Sequence, residues 1–226
     1  MQIDLTGRTA FLTGASRGIG KRIKEVLEAA GSTVLAPGRG ELDLACPEQV
    51  AHYIEMHPHE IDLFIHCAAI NPLAGMEEIQ LPLLLETFQV NLFSAVQLLR
   101  GYIGGMKRNG WGRVLFISSL YALISKERRI AYSASKSALT GLTRSLALEF
   151  GRENILVNAV APGYVMTDMT EKNLSKAEIE AITAQIPQGR MQSEDDIANL
   201  VAFLCSDLNQ SITGQLIAVD GGLTCR

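Results

Sequence analysis

Short apolar runs alternate with amphipathic stretches along the chain. The run Thr9-Ala10-Phe11-Leu12 is compact and β-prone, and strand candidates fall at 9–13, 33–36, 61–66, 113–118, 155–160 and 215–219. Between most of them apolar residues recur at spacings of three and four, the mark of a helix with one buried face. Helices are predicted over 19–30, 47–57, 83–107, 132–150, 175–185 and 194–205. In the first, Ile23, Val26, Leu27 and Ala30 form the apolar face, with Lys21, Arg22, Lys24, Glu25 and Glu28 opposite. Strand–helix alternation implies a parallel sheet covered by helices on both faces. No linker, repeat or low-complexity segment interrupts it, so residues 1–226 read as one doubly wound α/β domain.

One interval breaks the rhythm. Leu42-Asp43-Leu44 reads as the third strand, yet only residues 37–41 separate it from the second, which ends near Ala36. A helical crossover between parallel strands needs about a dozen residues. The crossover helix between strands 2 and 3 is therefore expected to be missing, leaving a thinner wall on that side of the sheet.

Composition narrows the classes. The 226 residues are 47% hydrophobic and 19% charged, enough to bury one substantial core and too apolar for disorder. A net charge of −4 gives no surface for nucleic acid. The start, Met1-Gln2-Ile3-Asp4-Leu5, has neither a basic flank nor a long apolar core, and no apolar run reaches the ~20 residues of a membrane span. Cys46, Cys67, Cys205 and Cys225 are scattered without a C-x-x-C, as expected of reduced thiols in a cytoplasmic protein. His52, His57 and His59 share one polar helix end, and neither they nor His66 suggest a metal site.

The chemistry enters at the first strand–helix turn. Thr13-Gly14-Ala15-Ser16-Arg17-Gly18-Ile19-Gly20 joins the first strand to the first helix. Glycines there let the backbone turn sharply and approach a pyrophosphate, whose charge the free N–H groups of the helix start would meet. A second signal is Tyr132-Ser133-Ala134-Ser135-Lys136, which sets a phenol and an ammonium one helical turn apart on one face. A lysine charge so placed is expected to lower the phenol's pKa toward neutrality. For the cofactor, sites that prefer NAD carry an acid at the end of the second strand. Here that place reads Ala36-Pro37-Gly38-Arg39, and Arg17 and Arg39 are suited to a 2′-phosphate, which favours NADP(H) over NAD(H). The competing reading gives Glu41 the ribose contact.

These signals, in order, resemble the short-chain dehydrogenase/reductases over nearly the whole chain, from about Thr6 onward. The resemblance rests on the glycine turn at 13–20, Asn91 in Val90-Asn91-Leu92, Ile117-Ser118-Ser119, Tyr132 with Lys136, Pro162-Gly163 with Thr167, and Asp220-Gly221-Gly222. Within that family the segments 162–170 and 185–222 look most like 3-oxoacyl-[acyl-carrier-protein] reductases. The resemblance implies a Rossmann-type sheet and an oxidoreductase interconverting a ketone and a secondary alcohol, with a 3-oxoacyl thioester as substrate. A sugar or another small alcohol is the alternative, and a non-catalytic dinucleotide-binding scaffold the third reading. It implies Asn91, Ser119, Tyr132 and Lys136 as the catalytic set. Cofactor contacts are implied at Gly14, Ser16, Arg17, Gly18, Ile19, Gly20, Arg39, Asp43, Leu44, Cys67, Ala68, Ala69, Asn91, Tyr132, Lys136, Pro162, Gly163, Val165 and Thr167.

Tyr132 would give its proton to the developing alkoxide while Ser119 bonds the same oxygen. By resemblance Lys136 holds the nicotinamide ribose, Asn91 anchors a water beside that lysine, and Asp43 meets the adenine. The family's Asn-Asn-Ala-Gly stretch is replaced by His66-Cys67-Ala68-Ala69, with His66 read as a structural residue. Substrate contacts are expected from residues 71–73, 120–130 and 169–187, the last a lid, with Lys126, Arg128 and Arg129 placed to attract an acidic carrier or a phosphorylated substrate. Family members pair the helices at 83–107 and 132–150 into homodimers or homotetramers.

Overall fold

Apolar runs with no polar face can be buried only between two layers, and here they are. Strands β1 (Thr9–Thr13), β2 (Thr33–Leu35), β3 (Leu63–His66), β4 (Gly112–Ile117), β5 (Ile155–Pro162) and β6 (Leu216–Val219) pair in parallel, in the order β2-β1-β3-β4-β5-β6. The structure, a computed structural model, describes residues 3–167, 170 and 175–225. The helices are α1 (Gly18–Ala29), α2 (Pro47–Met56), α3 (Leu81–Phe88), α4 (Ser94–Asn109), α5 (Ile130–Phe150), α6 (Lys176–Thr183) and α7 (Glu194–Cys205).

The pleat divides each apolar run between two cores. Phe64, Val114 and Phe116 face α2, α4 and α5, where they meet Val50, Tyr53, Leu98, Tyr102, Met106 and Leu139. Leu63, Ile65, Leu115 and Ile117 face α1 and α7, meeting Ile23, Leu27, Ile197 and Val201. A strand without alternating polar residues is thus the expected product of a sheet covered on both sides.

Two expectations change in detail. The helix predicted over 83–107 starts earlier, at Leu81, with Pro82 in its first turn where a missing N–H costs nothing. It is then interrupted by a π-helical turn, Gln89–Phe93, before α4 continues. The extra residue of that turn carries Asn91 inward, where it is completely buried.

The missing crossover helix is as expected: residues 36–42 turn through Gly38, whose carbonyl accepts from Glu41 N (3.0 Å) and Leu42 N (2.9 Å). Leu42-Asp43-Leu44, however, is no strand. The length rule that removes the helix removes the strand too, since residues 36–41 are too few to carry the chain back to run parallel beside β2. Leu42 and Leu44 still bury their side chains in the core, which is why the triplet has a strand's pattern. Among the described residues no helix is long and apolar enough to cross a membrane.

Phe64 is fully buried, stacked on Phe11 at 6.1 Å between centroids and edge-on to Phe116 at 6.5 Å. Phe64→Ala is expected to lower unfolding free energy by about 3–5 kcal/mol in urea titration; a loss below about 1 kcal/mol would contradict this packing.

Candidate active site

From β1 the chain leaves to β2 on one side and β3 on the other, so the C-terminal ends of the strands open into a crevice there. The cleft holds about 930 Å³ and is bounded by the ends of β1, β3, β4 and β5 and the starts of α1 and α5. Its floor depends on glycine. A Cβ on Gly14 (φ +75°) would lie 2.7 Å from the Ala68 backbone, and one on Gly20 would overlap the Gly14 carbonyl. Gly18 opens α1 with φ +57°. Its N-cap residue, Arg17, makes no side-chain cap and its own first turn holds no acid, while Glu194 Oε1 from α7 comes within 3.7 Å of a Cβ placed on Gly18. This glycine-lined helix start suits the close approach of a pyrophosphate.

Thr13 and His66 tie the floor together. Thr13 Oγ1 accepts from Cys67 N and Ala68 N, both at 3.2 Å. It lies 3.0 Å from His66 Nδ1, while His66 Nε2 reaches Val90 O at 3.2 Å. Because a carbonyl only accepts, Nε2 carries the hydrogen, and Thr13 donates to Nδ1. Complete burial, with the Lys136 charge, pushes His66 down to about 3 and keeps it neutral. His66 is therefore a bonded structural residue, as its sequence position implies. The preceding π turn supplies Asn91, which accepts from Ile70 N (2.8 Å) and donates to Ile70 O (3.0 Å) and Ser135 Oγ (2.9 Å).

The reactive groups come from two elements. Ser118 and Ser119 directly follow β4, and α5 presents Tyr132 and Lys136 on one face. Ser118 Oγ bonds Lys136 O at 3.0 Å, clamping the helix to the strand. Ser119 Oγ accepts from Tyr121 N at 3.2 Å, and a hydrogen bond links its side chain to Tyr132. Lys136 is 1% exposed, donates to Ile117 O at 2.6 Å and sits 5.8 Å from the Tyr132 ring centre.

Here the electrostatics differ from the expectation that Lys136 lowers the Tyr132 pKa. Burial raises Tyr132 above its ordinary value, only partly opposed by the bond from Ser119 and the charge of Arg129. Burial also brings Lys136 down to about 8. Desolvation is the largest cause for each group, and the lysine donates its hydrogen bond to a carbonyl rather than to the phenol.

Of the residues expected to contact a cofactor, Gly14, Ser16, Arg17, Gly18, Ile19, Gly20, Arg39, Asp43, Leu44, Cys67, Ala68, Ala69, Tyr132, Lys136, Pro162, Gly163, Val165 and Thr167 line the cleft. Asn91 does not; it lies behind the wall with its amide fully bonded. Arg39 stands at the cleft's edge, its side chain 79% exposed and 3.5 Å from Asp43. Glu41 bonds Tyr53 instead, away from the cleft. Thr13 and Ser118 are lining residues that sequence reasoning quoted in its motifs without giving them a task, and Lys24 and Glu86 are lining residues it did not single out. The last two lie on helix surfaces, where only the fold brings them to the cleft. Part of the expected lid, residues 168, 169 and 171–174, lies outside the described residues.

The family described as Enoyl-(Acyl carrier protein) reductase matches residues 6–224. The 3-oxoacyl-[acyl-carrier-protein] reductase of Aquifex aeolicus is 36% identical over 248 aligned positions, covering 99% of this chain and 100% of that one. That of Escherichia coli strain K12 is 35% identical, covering 98% of this chain and 99% of its own. Both alignments are longer than this chain, so these relatives carry segments it lacks. Among solved structures, a Beutenbergia cavernae chain provisionally assigned as an NAD(P)-dependent gluconate 5-dehydrogenase, with NADP at low occupancy, superposes with TM-score 0.93 at 35% identity, covering all of both chains. An Agrobacterium tumefaciens chain provisionally assigned as a 2-deoxy-D-gluconate 3-dehydrogenase, with bound NADP, gives TM-score 0.90 at 30% identity, covering 99% of each.

His66 stays neutral in the fold to about pH 3, whereas its unfolded value is 6.5. Below that value the unfolded chain binds the extra proton, so stability falls as pH falls. His66→Asn keeps a donor and an acceptor and removes the titration. Its unfolding free energy is expected to decline less steeply below pH 6.5 than the wild type's, by up to about 1.4 kcal/mol per pH unit. Parallel urea-midpoint profiles would refute this.

Proposed function

Since the chain belongs to the short-chain dehydrogenase/reductase family, we propose that it reduces the ketone of a 3-oxoacyl thioester to a secondary alcohol with NADPH. It is an NADP(H)-dependent oxidoreductase acting on CH–OH groups, and residues 1–226 form one dinucleotide-binding domain. The observation that carries the reading is the convergence of Ser119, Tyr132 and Lys136 at one end of a cleft whose other end is the glycine cradle.

A nicotinamide cofactor held by the residues of the cleft would supply the hydride for the carbonyl carbon. Tyr132, kept protonated by burial, gives its proton to the carbonyl oxygen as that oxygen becomes negative. Ser119 donates a hydrogen bond to the same oxygen and offsets its charge. Lys136 faces the cleft with an ammonium suited to the ribose hydroxyls, and Asn91 braces Ile70 and Ser135, which adjoin it. Two hydroxyls on one oxygen suit a ketone becoming an alcohol, and the fit to an acyl reductase agrees with the two curated relatives. A second reading, oxidation of a sugar acid, is favoured by the gluconate dehydrogenase neighbours.

The absence of an acid at 36–38 and the presence of Arg17 and Arg39 on the cleft support NADP(H) over NAD(H). We read the protein as a cytoplasmic homodimer or homotetramer; support comes from Phe93, Val96 and Leu148, large apolar side chains exposed near or on the long helices α4 and α5.

Tyr132→Phe is expected to lose at least 1,000-fold in turnover of acetoacetyl-coenzyme A, by loss of NADPH absorbance, with the NADPH dissociation constant within about twofold of wild type. Unchanged turnover would end the mechanism. The Michaelis constant for NADPH is expected to be about tenfold below that for NADH, and Arg39→Ala to erase the difference. A lower constant for NADH in the wild type would reverse the cofactor assignment.

A further inference from the structure

Three polar groups form a connected set beside Tyr132 without a task in the reaction above: Tyr121 and Arg129, which reach Tyr132, and Tyr164, which reaches Tyr121. Tyr121, two residues past Ser119, is 9% exposed and stands edge-on to Tyr132 with centroids 6.3 Å apart. Its hydroxyl meets that of Tyr164 at 3.3 Å. Arg129, at the start of α5, lies with its guanidinium carbon 5.7 Å from the Tyr121 ring centre. Its charge reaches both Tyr121 and Tyr132.

The cations of this loop are not equivalent. Arg128 is committed to Glu78, with Nη1–Oε1 at 2.9 Å and Nη2–Oε2 at 2.6 Å. Arg129 has no carboxylate within ion-pair distance among the described residues. The two phenols hold two hydroxyl hydrogens and use one of them between themselves, so one O–H is left to donate outward. A guanidinium with open donors and a spare phenol hydroxyl, both beside the phenol that protonates the substrate, are the parts of an oxyanion-recognising site. Leu123, Ile124 and Ile130 are apolar and exposed on the same loop and helix start.

We propose that Arg129, Tyr121 and Tyr164 form a subsite for an anionic group carried by the carbonyl substrate, a carboxylate or a phosphate. The proposal rests on the carbonyl-reductase reading and adds to it a selection of substrates made beside the cleft, at residues next to the lining residues Ser119 and Tyr132. It also gives the two readings of the previous section a common feature, because an acyl-coenzyme A carries phosphates and a sugar acid carries a carboxylate.

The test compares Arg129→Gln with wild type on a charged and an uncharged version of each substrate: acetoacetyl-coenzyme A against acetoacetyl-N-acetylcysteamine, and 5-keto-D-gluconate against D-fructose. Binding is read by calorimetry in the Tyr132→Phe background with NADPH present, so it does not depend on turnover. Arg129→Gln is expected to weaken one charged member of these pairs about tenfold and to leave its uncharged partner within twofold. A phosphate source shows as an effect on the coenzyme A thioester alone, a carboxylate source as an effect on the keto acid alone. Tyr121→Phe and Tyr164→Phe are expected to weaken the same charged ligand about threefold. In steady-state assays the loss should appear in KM, grow smaller at high ionic strength and leave kcat near wild type. Equal losses for charged and uncharged ligands would reduce Arg129 to a brace for Tyr121 and overturn the subsite, as would no loss for either or no binding of any charged ligand. Failure of the reductase reading looks different: no turnover of any substrate by the wild type while the Arg129-dependent binding difference remains.

Discussion

The turn after β1 lies so close to the end of β3 that one methyl group at position 14 would collide with the Ala68 backbone. This approach shapes the rest of the site. It brings Thr13 Oγ1 within reach of two main-chain N–H groups just past the end of β3 and sets His66 against Thr13. Through His66 the constraint passes to Val90 on the π turn, through Asn91 to Ser135, and so to the helix that carries Tyr132 and Lys136. The cofactor end and the chemical end of the cleft are therefore joined by one chain of buried hydrogen bonds. A histidine keeps that chain complete because its two ring nitrogens serve as one acceptor and one donor.

Burial, not pairing, sets the protonation states at the chemical end. Tyr132 is raised and Lys136 lowered to about 8, both chiefly by loss of water. A protonated phenol beside a hydroxyl donor is prepared to give a proton, which suits reduction. The lysine retains its charge near neutrality and engages a carbonyl until another oxygen is offered. A pair that looks like a simple charge-on-phenol device is, in the fold, two desolvated groups sharing one cleft wall.

The direct path from β2 to Leu42 changes the opposite end. With only residues 36–41 between β2 and Leu42 in place of a crossover, Arg39 projects into solvent at the cleft's rim and Leu42 and Leu44 close the core from the side. The pocket keeps the lining that a dinucleotide needs while losing a wall. The two relatives, whose alignments run to 248 and 245 positions, are longer than this chain.

Much of this was legible in the chain because it depends on local spacing. The six strands, the glycine turn and the Tyr132–Lys136 register follow from periods of two and of 3.6 and from backbone sterics, which neighbouring residues alone specify. Leu42-Asp43-Leu44 shows the limit: its apolar pattern reports burial, and both a strand and a core-facing turn satisfy it. The π turn that hides Asn91, the raised Tyr132, and the meeting of Tyr121, Tyr164 and Arg129 were decided only by tertiary structure. Each depends on how much water is removed and on which distant segments arrive together, from the ends of β4 and β5 and the start of α5. Those quantities are set by the closed sheet and its helices and have no period along the chain.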